Sequence, residues 1–209
     1  ALEEARLERF RLTAPWDGPL RRTMFSIVRR PLERLLCFGK LNRYYRRARR
    51  LRGDQDFWAA CLKSLNISYE ISEEDLERIP CEGPCFVVAN HPLGGVDGIM
   101  MMSMLRSIRP DVRLMANHMV GSIPEVAETA ILANPFEGES AIRANIRAMR
   151  EAIEWLNGGH MLAVFPAGEV SHVTWQNPTV TDPEWNAGVA RMIHKSGAPV
   201  LPVYFDGMN

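Results

Sequence analysis

Three blocks of the chain share one pattern of apolar and polar positions. Cys85-Phe86-Val87-Val88-Ala89 is an unbroken apolar run that meets Asn90-His91-Pro92-Leu93-Gly94-Gly95-Val96-Asp97-Gly98. Met161-Leu162-Ala163-Val164 leads into Phe165-Pro166-Ala167-Gly168-Glu169-Val170-Ser171, and Ala198-Pro199-Val200-Leu201-Pro202-Val203 into Tyr204-Phe205-Asp206-Gly207. Short apolar runs that stop at Pro/Gly turns predict buried strands. Helical patterns separate these three, so the chain is expected to be α/β: a single mixed, largely parallel sheet, flanked by helices, whose strand exits converge. The clearest helix carries Ile142, Ile146, Met149, Ile153 and Leu156 on one face, with Ser140 as N-cap and Gly158-Gly159 at its end. A second follows Asp97 and bears Ile99, Met100, Met101, Met102, Met104, Leu105 and Ile108, a cluster that reads as core packing. Asp182-Pro183 predicts the cap and first residue of a third, running through Trp185, Val189, Met192 and Ile193 to Gly197. Val112 to Met115 reads as a short strand. The stretch from Gly121 to Glu139 is least regular, with a short apolar run at Ile131-Leu132-Ala133 and a turn at Asn134-Pro135-Phe136-Glu137-Gly138.

Upstream the pattern changes to apolar positions set among arginines. Met24, Val28, Leu32 and Leu35 recur at helical spacing beside Arg21, Arg22, Arg29, Arg30 and Arg34, and Pro31 is expected to kink or split that helix. Leu41, Tyr44, Ala48 and Leu51 repeat the pattern among Arg43, Arg46, Arg47, Arg49 and Arg50. Gly53-Asp54 reads as a linker, with Asp54 capping a helix that carries Phe57, Trp58, Cys61, Leu62 and Leu65. Two regions are therefore expected: residues 1–53 as a basic amphipathic arm, and residues 54–209 as the main domain.

Charge sharpens this division. The whole chain is neutral, but residues 1–53 hold 15 Lys/Arg against 5 Asp/Glu, and the remainder 10 against 20. A basic arm on an acidic body points to an anionic surface as partner. Three readings suit the arm: an interfacial membrane helix, a solvated face packed on the core, or a nucleic-acid binder that stacks Tyr44 and Tyr45. No apolar run approaches the ~20 residues needed to span a bilayer. The charged N-terminus lacks the apolar stretch of a signal peptide, and the chain begins without Met, which leaves room for further sequence at both ends. Length and a 46% hydrophobic content suffice for one well-buried α/β domain with an appendage. Cys37, Cys61, Cys81 and Cys85 form no secreted disulfide pattern. Cys81 and Cys85 lack a second ligand pair at zinc spacing, so neither a metal nor a cofactor is expected.

The candidate chemistry sits at the first strand's exit. Pro92 pushes His91 into an extended conformation at the carboxyl end of the strand, where open α/β sheets usually do their chemistry. Asp97, near the start of the next helix, is within reach of the imidazole and would fix its tautomer, making His91 a general base. His118, His160, His172 and His194 have no partner at comparable spacing.

Taken together and in order, NHPLGGVDG, FPAGEVS and PVLPVYFDG resemble the glycerolipid acyltransferase family of lysophosphatidic-acid type. Within it they are most similar to a bacterial branch termed hemolysin-like, which includes O-acyltransferases of lyso-amino-acid lipids. The resemblance runs from about residue 80 to the end, and Asp182 to Trp185 also fits that branch. It implies His91 as catalytic base with Asp97 as its partner. Asn90, Gly94, Gly95, Phe165, Pro166, Gly168, Glu169 and Ser171 are the implied substrate-binding positions. The implied reaction moves an acyl group from acyl-CoA or acyl carrier protein to a lyso-lipid hydroxyl, without a cofactor. With that resemblance the arm is expected to bind membrane lipids rather than nucleic acid, holding the protein peripherally at the cytoplasmic face of the inner membrane. Two departures stand out. Five residues separate His91 from Asp97 where the family usually has four, and the third motif has Ala167 and Val170 where Glu and Arg are usual. The absent arginine favours an uncharged or amino-acid-type lyso-lipid over a glycerol phosphate. A hydrolase using the same base, and a non-catalytic membrane-binding protein, are the alternatives.

Overall fold

The structure is a computed structural model that describes residues 9–12, 19–134, 139–173 and 178–207. Residues 135–138 of the expected turn, and the side chains of Arg21, Arg22, Met24, Ser140 and Ile142, lie outside what it describes. Two compact units are present, residues 1–68 and 69–209.

The second unit is an α/β domain. In chain order it comprises α4 (Glu73–Glu77), β1 (Cys85–Ala89), α5 (Gly95–Ile108), β2 (Val112–Asn117), a 3₁₀ turn (His118–Ser122), α6 (Pro124–Thr129) and β3 (Ala130–Ala133). Then follow α7 (Glu139–Asn157), β4 (Met161–Val164), α8 (Ala187–Ser196) and β5 (Val200–Val203). The strands form one sheet in the order β3-β2-β4-β1-β5, parallel at every described pairing. The largely parallel sheet expected from sequence is therefore present. Helical crossovers between parallel strands bury β1 and β4 along their whole lengths, and this is why both read as unbroken apolar runs. Phe86, Val88, Leu162 and Val164 join one core cluster with Ala148, Ala152 and Leu156 of α7 and Met192 of α8. Val87, Met161 and Ala163 alternate to the opposite face. The methionines of α5 are buried, as expected of core packing.

One helix begins later than its sequence suggests. Asp182 is not its N-cap; Asn186 is, accepting the Gly188 N–H, and α8 ends at Gly197 in the left-handed conformation. Asn caps as well as Asp does, and the Asp182 carboxylate is engaged elsewhere.

The first unit contains α1 (Pro19–Leu35), α2 (Phe38–Arg52) and α3 (Phe57–Leu65) (their ranges precede α4 in the chain). Pro31 does not split α1, which runs through it. The proline leaves the Ile27 carbonyl without its helical donor, but Ile27 is well exposed, so water can serve in its place. The cap of α3 is Asp56 rather than Asp54, through a bond from the Trp58 N–H. In α2 the inward positions are Asn42, Tyr45 and Ala48, while Leu41 and Tyr44 are exposed. Packing against α3 selects them. Tyr45 meets Phe57 edge-on at 6.2 Å, and the Ser64 hydroxyl donates to the Tyr44 carbonyl. These contacts place α3 in the first compact unit, which ends at residue 68. Ile27, Val28, Leu32, Leu35 and Leu36 stay exposed among the arginines.

At the amino ends of β1, β2 and β4, one buried guanidinium ties three strands together. Arg109 is 3% exposed and forks onto Asp111, Nε to Oδ1 at 2.7 Å and a terminal nitrogen to Oδ2 at 2.6 Å. Its remaining N–H groups reach the carbonyls of Gly83 at 2.8 Å and Gly159 at 3.1 Å. His160, stacked on Trp155, adds Nδ1 to Asp111 Oδ2 at 3.0 Å. The Arg109 bonds hold the Asp111 carboxyl far below the usual carboxylate range against the opposing effect of burial, with His160 assisting. A lowered folded value means stability that is present above about pH 4, the ordinary carboxylate value, and lost progressively as the pH falls from there through the folded value. Arg109→Ala strands Asp111 and these carbonyls and should cost about 3 kcal/mol, read as a lower urea midpoint. Asp111→Asn should flatten the loss of stability that the parent protein shows in acid.

Candidate active site

The carboxyl edge of the sheet gathers the opposite ends of the same strands. β1 lies between β4 and β5. Its exit therefore sits between theirs, and each of the three contributes a side chain. Asn90 clamps the β5 exit: its amide nitrogen donates to the Phe205 carbonyl at 2.9 Å, and its oxygen accepts the Phe205 N–H at 2.7 Å. His91 follows, and Phe165 from β4 stacks on its imidazole with ring centroids 3.9 Å apart. Phe205 is tilted against Phe165 at 6.4 Å.

Asp97 reaches this point because of how α5 begins. Gly94 is the N-cap residue, with φ +65°, and Asp97 is the third residue of the helix. An acidic side chain there normally turns back to the N–H groups ahead of the helix, and the helix dipole favours its charge. Asp97 Oδ2 accepts the Leu93 N–H at 2.7 Å, and the same oxygen stands 3.1 Å from His91 Nδ1. The carboxylate is wholly buried, whereas the imidazole is 16% exposed. With Nδ1–H directed at the carboxylate, Nε2 keeps its lone pair, which is what a general base needs. The structure brings together the two side chains that the sequence spacing pairs. The five-residue spacing is accommodated by the left-handed Gly94, where a side chain would be strained and would also meet Val170 Cγ2 at 3.4 Å.

The third-motif residues frame this pair. Pro166 is buried and its carbonyl accepts the Asn186 N–H at 2.9 Å. Gly168, at φ +74°, closes the turn with its N–H on the Phe165 carbonyl at 3.0 Å, so that N–H is taken. Glu169 and Gly95 are exposed. Ser171 is buried, and its N–H donates to the His91 carbonyl at 2.9 Å. His172 pairs in an isolated bridge with Thr181, its Nδ1 beside the Val170 carbonyl.

Sequence missed the role of Asp182. Its Oδ1 accepts the His91 N–H at 3.0 Å and also the Ser171 hydroxyl, while Oδ2 accepts the Trp185 indole N–H at 2.9 Å. Burial pushes its carboxyl up, but the three donors prevail and hold it below its ordinary value. The Asp-Pro pair looked like a helix start because both uses need an acceptor facing free N–H groups. Among the described residues no cluster of three or more His, Cys, Asp or Glu is placed to hold a metal.

A buried carboxylate, an oriented imidazole open to solvent and a glycine turn can deprotonate a hydroxyl. Comparison with known proteins bears on which. A family model described as Acyltransferase matches residues 12–209. Two curated proteins named lyso-glycine lipid O-acyltransferase are similar, both 30% identical over 155 residues. For that of Phocaeicola vulgatus the match covers 74% of this chain and 52% of the relative, and for that of Bacteroides thetaiotaomicron 74% and 54%. The chain thus spans about half the length of the curated relatives it matches. A solved structure, the 1-acyl-sn-glycerophosphate acyltransferase PlsC of Thermotoga maritima, is similar at 23% identity and a TM-score of 0.46, covering 78% of this chain and 59% of that one. With the family model matched along almost its whole length, the chain belongs to the acyltransferase family.

Proposed function

We propose that this chain transfers a fatty acyl group from a thioester, acyl-CoA or acyl carrier protein, to the hydroxyl of a lyso-lipid. The observation that carries this reading is the 3.1 Å contact between His91 Nδ1 and the buried Asp97, in a chain of the acyltransferase family. His91 Nε2 takes the hydroxyl proton as the lipid oxygen attacks the thioester carbonyl. Asp97 stabilises the imidazolium that results. Collapse of the tetrahedral intermediate breaks the C–S bond, and the proton on Nε2 passes to the departing thiolate. A base so placed supplies about 10²–10⁴-fold, and alignment of the two substrates supplies more. Gly168 cannot donate to the oxyanion, since its N–H closes its own turn. The first-turn N–H groups of α5, at Gly95 and Val96, have no acceptor within the helix and are better placed to do so. No metal or bound cofactor enters the scheme.

Two considerations support an amino-acid-type lyso-lipid as acceptor. The similar curated proteins are named for a lyso-glycine lipid. Val170, standing where the resemblance has arginine, leaves the Gly168 turn without the cation that a phosphate would attract. The arm supports peripheral attachment to a membrane on its cytoplasmic face. Ile27, Val28, Leu35 and Leu36 are exposed beside Arg30 and Arg34, the arrangement of an interfacial helix. No described helix is long and apolar enough to cross a membrane.

His91→Ala should cut acyl transfer to a lyso-glycine lipid by about 10²–10⁴-fold in a labelled-thioester assay, and Asp97→Ala should act in the same direction by no more than that. Free fatty acid as the main product, with no acylated lipid, would show a hydrolase instead. In sedimentation with anionic vesicles, Ile27→Asp with Leu35→Asp should weaken binding. Binding should also fall as salt rises from about 0.1 to 1 M, over which the screening length shortens from about 10 to 3 Å.

A further inference from the structure

His91 lies two residues beyond the last ladder position of β1, Ala89, so sheet hydrogen bonds no longer hold its backbone. Pro92, which follows, offers no N–H. A flexible backbone here would let the imidazole drift however well Asp97 gripped the ring. The structure closes this gap with a small hydrogen-bonded circuit. Asp182 Oδ1 accepts the His91 N–H, Ser171 donates its own N–H to the His91 carbonyl, and the Ser171 hydroxyl donates back to Asp182 Oδ1. Both polar groups of His91's own backbone are thus clasped by two residues that also bond each other. Neither is hydrogen-bonded to the imidazole, although the Asp182 charge and the His91 ring attract one another. Asp97 governs the rotation of the ring, whereas Asp182 and Ser171 govern where the ring is mounted.

The circuit spans three separate stretches of chain, the β1 exit, the β4 exit and the segment before α8. None of them needs it for secondary structure, because α8 already has its own cap in Asn186. The other carboxylate oxygen holds the half-exposed Trp185 through its indole N–H. That makes a second function for the same group: it fixes an apolar ring beside the loop that carries His91.

We propose that Asp182 is a positioning residue for the acyl transfer described above, acting through Oδ1 on the His91 backbone so that the imidazole stays between Asp97 and Phe165. This rests on that reading of the site, but its physical content, a fixed ring, is measurable without turnover. Displacing a reacting group by about 1 Å costs on the order of 10²-fold, so loss of the clasp should be felt in kcat far more than in substrate affinity.

The experiment compares the full chain with Asp182→Ala, Asp182→Asn and Ser171→Ala. It measures kcat and KM for a lyso-glycine lipid and an acyl thioester, the thermal midpoint, and the long-range proton–nitrogen NMR correlations of the His91 ring. Asp182→Ala should lower kcat by about 10- to 100-fold with both KM values little changed, and the His91 ring signals should broaden or show mixed tautomers. Asp182→Asn keeps an oxygen for the His91 N–H and the Ser171 hydroxyl, losing the charge and the Trp185 bond. It should recover most of the kcat and the single tautomer. Unchanged kcat and ring signals in Asp182→Ala would overturn the proposal, as would an Asn variant as impaired as the Ala variant. If Asp182→Ala does not fold, Ser171→Ala decides: a lower kcat at constant KM supports the clasp, and wild-type kcat with wild-type ring signals sinks it. If the unmodified chain transfers no acyl group, the reaction is misassigned, and the ring spectra alone settle the role of Asp182.

Discussion

A carboxylate with no access to water must find its hydrogen bonds inside the protein, and Asp97 is that group here. One of its oxygens meets both the Leu93 N–H and the His91 imidazole. The other has no hydrogen-bond partner among the described residues. Such an oxygen costs about 1–3 kcal/mol, and the positive end of α5, together with the Leu93 N–H, offsets part of this. The surrounding loop is shaped by that need. The chain leaves β1, turns through the left-handed Gly94 and starts α5 so that the third helical residue looks back over its own entry. An oriented imidazole follows from how the helix is capped.

The sheet acts as a ruler between two polar clusters. At its amino edge Arg109 binds the carbonyls of Gly83 and Gly159 and the Asp111 carboxylate, fixing where β1, β4 and β2 begin. Strands four to six residues long then deliver Asn90, His91 and Phe165 to the far edge with little freedom. β5 is tied in by the paired bonds of Asn90 to Phe205. The amino-edge cluster needs no chemistry of its own. Its burial and full hydrogen bonding make it a structural support, and a buried ion pair of this kind is tolerated because every donor has an acceptor.

Most of this was legible in the chain because local pattern and global fold agree. β1 and β4 are unbroken apolar runs for the reason that parallel sheets bury both faces. α7 packs on the sheet through Ala148, Ala152 and Leu156 with Met149 and Ile153, whereas Ile146 of the expected stripe is exposed. Asp97 was readable because six residues and two glycines bring it back to His91. Contacts distant in sequence were not readable. Ile108-Arg109-Pro110-Asp111 looks like an ordinary loop, since the acceptors of Arg109 are mostly main-chain carbonyls, which leave no trace in residue type. Asp182 before Pro183 predicts a helix cap, and only the fold shows its 91-residue reach to His91. In the arm, spacing alone could not tell Tyr44 from Tyr45; packing on Phe57 chose the latter.

The two departures from the pattern that the sequence resembles prove to be one place in the structure. The extra residue between His91 and Asp97 is absorbed where Gly94 turns left-handed, and the atom that a side chain there would meet is Cγ2 of Val170. Val170 is also the position where the resemblance leads one to expect arginine. A short branched apolar side chain fills the space against the longer loop. An arginine would carry its charge onto the same turn and need an anion or a carboxylate to satisfy it. The longer loop and the third motif thus meet at Gly94 and Val170. At this corner the His91–Asp97 contact stands beside a turn whose Val170 side chain carries no charge.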